Sequence, residues 1–80
     1  MNILFTFTPN KVQSIAKEMD YVPPKGSGVQ FSVDTLKDAN GQPAFSGDDY
    51  TVVWFNVNAT QTIFTSDMNY YVEVVLAHED

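Results

Sequence analysis

Hydrophobic and polar residues alternate along several stretches of this chain. From Asn2 to Thr8, Ile3, Phe5 and Phe7 fall on one side and Leu4, Thr6 and Thr8 on the other, the period of a strand with one buried face. The period then changes. Val12, Ile15, Ala16 and Met19 recur at i, i+3, i+4 and i+7, with Lys11, Lys17 and Glu18 opposite. Asn10 suits an N-cap, Gln13 follows three residues later, and Val22-Pro23-Pro24 supplies a stop. This spacing predicts a short helix over 10–19. Alternation returns at Val29, Phe31 and Val33.

The second half is again strand-like. Tyr50, Val52 and Trp54 share one face of a segment whose other face holds Val53, Phe55 and Val57. A strand apolar on both faces is expected at the centre of a sheet, covered on both sides. Asn58-Ala59-Thr60 reads as a turn, Thr62–Thr65 as a short strand and Ser66–Asn69 as another turn. In the last strand, Tyr70, Val72, Val74 and Leu76 oppose Tyr71, Glu73, Val75 and Ala77, and His78-Glu79-Asp80 is read as a frayed tail. Lys25–Gly28, Asn40-Gly41 and Ser46–Asp49 are further turn signals.

The expected class is mainly β, bordering on α+β, in one domain spanning residues 1–80. About five strands would form an antiparallel sheet or a small sandwich, with one short helix near the N-terminus. The short connections leave no room for crossover helices, which is why antiparallel pairing is expected.

Composition narrows the function. The 80 residues contain no Cys, so disulfides and thiolate metal sites are excluded. Packing of six Phe, four Tyr and one Trp must stabilise the fold, or a partner or second copy must help. Ten acidic residues face four Lys, and there is no Arg, for a net charge of −6. That balance opposes a phosphate backbone and an anionic bilayer, so neither direct nucleic-acid binding nor membrane association is expected. A basic protein surface would be favoured, although a negative surface also serves plain solubility. The start at Met1 lacks a basic, long-apolar leader, which predicts a complete gene product kept in the cytoplasm of a host cell or carried in a virion.

Candidate chemistry is sparse. The one His, His78, lies near the C-terminus, and without Cys the common nucleophile–base pairs cannot be built. Asp48-Asp49 is the obvious carboxylate pair, but adjacent turn aspartates are ordinarily solvated or capping groups. Asp38-Ala39-Asn40-Gly41 spaces oxygen donors as calcium loops do, and Asp34 and Asp48 could join it. Counting from Asp38, however, the EF-hand positions for Gly and Glu hold Pro43 and Asp49. Gly26-Ser27-Gly28 leads into a strand, with no helix N-terminus to hold a phosphate. No catalytic residue, metal site or cofactor is expected.

Surfaces remain. Tyr70 and Tyr71 place one ring on each face of the last strand, so one of the two rings is a candidate contact. Tyr and Trp are favoured at interface centres, which adds Trp54, although core packing is its simpler reading. Asp38, Asp48, Asp49, Asp67 and Glu73 complete the candidate partner-binding set.

Asp38–Pro43 followed by Tyr50–Phe55 resembles the strand-turn pattern of small immunoglobulin-like modules, and Ser66–Val74 resembles their late turn and final strand. Such modules occur in bacteriophage tail and baseplate proteins and in bacterial surface proteins. The resemblance covers half of the chain, leaves out the 10–19 segment, and implies a structural or adhesive role without catalytic residues.

Two functions follow as expectations. The first is a non-enzymatic interaction or assembly protein of phage or mobile-element origin, presenting a sheet face or edge to a protein partner or to its own copies. The alternative is a small acidic inhibitor of a basic, nucleic-acid-binding host protein. In it, Asp34, Asp38, Asp48, Asp49, Asp67 and Glu73 stand in for phosphates.

Overall fold

A computed structural model describes residues 1–8, 11–45 and 51–78. The protein is mainly β. The described residues form five strands, β1 (Asn2–Thr8), β2 (Ile15–Glu18), β3 (Gly28–Ser32), β4 (Val52–Phe64) and β5 (Tyr70–His78). They form one sheet in the order β2-β1-β5-β4-β3. β1 and β5 run parallel, and the other neighbours are antiparallel. Antiparallel pairing throughout was the expectation. The parallel pair arises because the whole intervening chain, and not a single short loop, connects β1 to β5.

The alternation seen in the sequence sets the core. Ile3, Phe5 and Phe7 of β1, Val72, Val74 and Leu76 of β5, and Val53, Phe55 and Val57 of β4 are all buried on one face. In a flat sheet, β1 and β3 would be three strand spacings apart, about 14 Å. Yet the rings of Phe5 and Phe31 have centroids 5.4 Å apart, and those of Phe7 and Phe31 5.6 Å. The sheet therefore curls into a half-barrel around its own aromatic side chains. Phe55 closes the cluster edge-to-face with Phe7 at 5.0 Å and Phe31 at 5.9 Å. Val12 and Leu36, buried in the connections, complete the core. A sandwich of two sheets is not seen.

The expected helix over 10–19 is not formed. Its second half is β2, and Asn10 lies outside the described residues. The same residues satisfy both periods, since Ile15, Lys17 and Met19 also alternate with Ala16 and Glu18. A ten-residue helix is marginal by itself. Pairing with β1, in a register from Asn2 opposite Glu18 to Phe5 opposite Ile15, satisfies backbone groups that β1 would otherwise leave open. Met1 and Met19 extend the ladder, the backbone N–H of Met19 donating to Met1 O at 2.9 Å. The only helical turn among the described residues is a 3-10 turn at Val33–Thr35.

Asn58-Ala59-Thr60 does not turn the chain. It continues β4 past a bulge between Val57 and Ala59, merging two expected strands into one of 13 residues. His78 is the last residue of β5, opposite Phe55, and its ring lies 5.1 Å from that of Phe45. It is not part of a frayed tail.

Candidate interaction surface

β4 and β5 extend beyond their neighbours. β3 pairs with β4 only as far as Asn56, and β1 pairs with β5 only from Val72 onward. Past Thr62 and Val72 the sheet narrows to a two-stranded arm, Ile63–Phe64 against Tyr70–Tyr71 and the loop that joins them, in a molecule with an extent of 44 Å along its longest axis. The bulge decides which residues share a face on the way into this arm. Thr60 is opposite Val74, Thr62 opposite Val72 and Phe64 opposite Tyr70. These pairs continue the face that carries the core, past the point where the core ends. Val74 is fully buried, whereas Phe64 is 68% and Tyr70 50% exposed. Their rings meet at 6.0 Å. Gln61, Glu73, Ile63 and Tyr71 occupy the opposite face, where Gln61 Nε2 donates to Glu73 Oε1 at 2.7 Å.

The arm ends in a tight loop, Thr65–Asn69. Met68 N–H donates to Thr65 O at 3.1 Å, and Thr65 N–H to Asn69 O at 2.7 Å. Met68 has φ +71° and is 82% exposed. This is the left-handed position of a three-residue hairpin loop, which glycine ordinarily fills. A methionine there places a large apolar side chain at the extreme tip at a conformational cost of about 1 kcal/mol. Asp67 holds the loop together. Its carboxylate accepts hydrogen bonds from the Thr65 hydroxyl, the Asn69 N–H and Asn69 Nδ2. The Thr65 hydroxyl first, then the Asn69 groups, keep its carboxyl below the ordinary carboxylate range.

The candidates read from the sequence are scattered. Tyr70 lies on the arm's exposed core-side face, and Tyr71 lies half-buried on the other face. Trp54 is 52% exposed, so the face of β4 that it shares with Val52 is not covered. This corrects the expectation of a strand buried on both sides. Gly28 makes that exposure tolerable, because the indole packs over its bare Cα. Asp38 caps its own loop, its Oδ1 accepting from Asn40 N–H at 2.9 Å and Gln42 N–H at 3.0 Å. Asp34 sits in the 3-10 turn after β3, Asp67 at the arm tip and Glu73 midway along β5. Asp48 and Asp49 lie outside the described residues. Among the described residues, no group of three or more His, Asp or Glu is placed to hold a metal ion. The sequence does not single out Phe64 and Met68, because plain alternation from Phe55 puts Phe64 on the opposite face, and only the bulge returns it to the core side.

A second concavity, of about 610 Å³, separates β2 from β3 and is lined by Phe5, Met19, Tyr21, Val29 and Phe31. Its size is that of a ligand pocket. Lys17 is its one charged lining residue, and of the polar side chains that line it, Ser27 and Thr35 donate their hydroxyls to the carbonyls of Pro24 and Ser32. No helix among the described residues is long and apolar enough to cross a membrane. Comparison with protein-family models, curated proteins and solved structures gives no match.

Proposed function

We propose that this protein is a non-enzymatic interaction or assembly protein that docks onto a protein partner, or onto its own copies, through the β4–β5 arm. The observation that carries this reading is the Phe64–Tyr70 pair with Met68 beyond it. These are large apolar side chains on the continuation of the core face, where no third strand among the described residues pairs beside them. Exposed aromatic clusters of this kind are favoured at interface centres. A left-handed methionine at the tip supports the same reading, since backbone strain concentrates where function needs it. The structural role that the immunoglobulin-like resemblance implies, in a phage particle or another assembly, falls within this proposal.

The alternative, an acidic inhibitor of a basic surface, has less support. No Lys follows Lys37, and seven of the ten acidic residues lie from Asp38 onward. But Asp38 and Asp67 are engaged in their own loops, and Glu73 bonds to Gln61. The described carboxylates therefore do not make the free, regular row that a phosphate mimic requires.

The test is site-specific photo-crosslinking in producing cells, with a benzoylphenylalanine at position 68 and a control probe at Tyr21. The expected result is an adduct to another protein or to a second copy from position 68. It should be lost when Phe64→Ser and Tyr70→Ser are combined. No adduct from position 68, or adducts unaffected by the double substitution, would overturn the reading.

A further inference from the structure

The outer edge of β4 is open from Asn58 to Phe64. Its inner half pairs with β3 up to Asn56, and the preceding loop adds Val57, which accepts from Gly26 N–H and donates to Ser27 O, both at 2.9 Å. Beyond Val57, no backbone bond among the described residues reaches this edge. The hairpin fixes which groups point outward. Thr65 N–H bonds across to Asn69 O, so Ala59, Gln61 and Ile63, two residues apart from it along the strand, also turn their backbone groups toward β5. Thr60, Thr62 and Phe64 therefore present their N–H and C=O groups to the open side.

An open strand edge is a template for another strand, and proteins ordinarily guard such edges with charge, proline or short length. Here the guards are missing. Asn58 to Phe64 includes no charged residue and no proline, in a chain of net charge −6. The other edges differ. β2 has only four residues and carries Lys17 and Glu18, and five-residue β3 follows Pro23-Pro24 closely.

We propose that the Asn58–Phe64 edge pairs antiparallel with the same edge of a second copy about a two-fold axis, giving one sheet continuous across the dimer. The inference rests on the arm being the interaction surface, and it names a second copy as the occupant. A two-fold interface sets each patch against itself, so any charge in it faces its like. The uncharged edge meets that condition on an otherwise strongly acidic chain. The register that pairs the three outward residues places the axis at Thr62. Thr62 then faces Thr62 of the partner subunit, a favourable cross-strand pair. Thr60 faces Phe64 of the partner subunit, which extends the contact to the exposed ring and stops it short of Val57, whose edge Gly26 and Ser27 hold. Strand pairing over so few residues is small beside a standard stable interface, so the dimer forms in a concentration-dependent way.

Sedimentation velocity of the full chain over a concentration series tests this. The expected result is a shift from monomer to dimer that stops at dimer. Thr62→Pro removes an outward donor without touching the ladder to β5, a substitution that edge strands tolerate. With one donor lost per copy, it should weaken the dimer about tenfold or more. Thr62→Lys leaves the backbone intact and sets like charges at the axis, so it should weaken the dimer and recover with added salt. Circular dichroism confirms that each variant is folded. A monomer at every concentration, a dimer unaffected by both substitutions, or an open series of larger species would overturn the proposal. If the chain is monomeric while position 68 still crosslinks to a different protein, the second copy is wrong and the arm remains the interaction surface. If crosslinking is absent as well, both readings fall.

Discussion

The indole of Trp54 lies across the backbone of Gly28, where a Cβ would sit 3.6 Å from both Cε3 and Cζ3 of the ring. Trp54 pairs with Gln30, so Gly28 is its diagonal neighbour on the uncovered face of the sheet. The glycine leaves room for the ring, and the ring shields a strand residue that has no side chain of its own. A contact of 3.6 Å is an ordinary van der Waals distance. Gly28→Ala is thus accommodated and raises stability by up to about 0.5 kcal/mol through the lower entropy of the unfolded chain. Gly28→Val, with two further carbons, displaces the ring. Trp54 is the only Trp, so its fluorescence reports the difference directly. Emission should be unchanged in Gly28→Ala and red-shifted in Gly28→Val.

Met68 makes the opposite case. It holds φ +71° without the freedom of glycine. Met68→Gly is expected to raise stability by about 1 kcal/mol, visible as a higher urea midpoint at unchanged slope. Met68→Val should lower it, because a β-branched residue fits the left-handed region worst. If Met68 is retained for contact, the more stable Met68→Gly chain should also crosslink or associate less well.

Much of this fold was legible in the sequence. The alternation in Asn2–Thr8 marked the buried face of β1, that in Val29–Val33 the half-buried inner face of β3, and that in Tyr70–Ala77 the two faces of β5, whereas both faces of β4 were expected to be covered and only that of Val53, Phe55 and Val57 is. Two further failures have one physical origin. Ile15–Met19 carries both periods at once, and Asn58-Ala59-Thr60 has turn-forming residues within a strand. In both places long-range pairing decided, with β1 in the first and β5 in the second. The candidate surface followed the same rule. Tyr70 could be named from its alternation, but Phe64 faces it through the three-residue hairpin loop, and shares the face of Phe55 only through a bulge that local composition does not reveal.

Asp67 gives the arm a pH dependence. Hydrogen bonds from Thr65 and Asn69 favour its ionised form in the folded state and lower its pKa from 3.8. Below that value the unfolded chain binds the proton more readily than the folded one. The contribution is therefore complete above the unfolded value and lost as pH falls through the depressed folded value. Asp67→Asn should accordingly be less stable than the parent chain at pH 7, and the gap between their urea midpoints should narrow as the pH falls below about 4. The carboxyl resonance of Asp67, followed by NMR, should titrate below the ordinary aspartate value. A gap independent of pH would show that the loop does not depend on the charge.

Phe55 and Phe64 lie on one strand and on one side of the sheet, yet on either side of the bulge their roles separate. Phe55 is 2% exposed and packs edge-to-face with Phe7, Phe31 and Phe45. Truncating such a ring costs about 3–5 kcal/mol. A domain of 80 residues holds roughly 4–12 kcal/mol in total. Phe55→Ala should therefore remove a large share of that stability and lower the melting midpoint by more than about 12 °C. Phe64 is 68% exposed and meets one ring among the described residues, that of Tyr70, a cross-strand aromatic contact with a value of about 0.5–1 kcal/mol. Phe64→Ala should melt within a few degrees of the parent chain and still lose association through the arm. A Phe64→Ala chain as unstable as Phe55→Ala would mean that the ring is part of the core, and the arm would then lose its standing as an interaction surface.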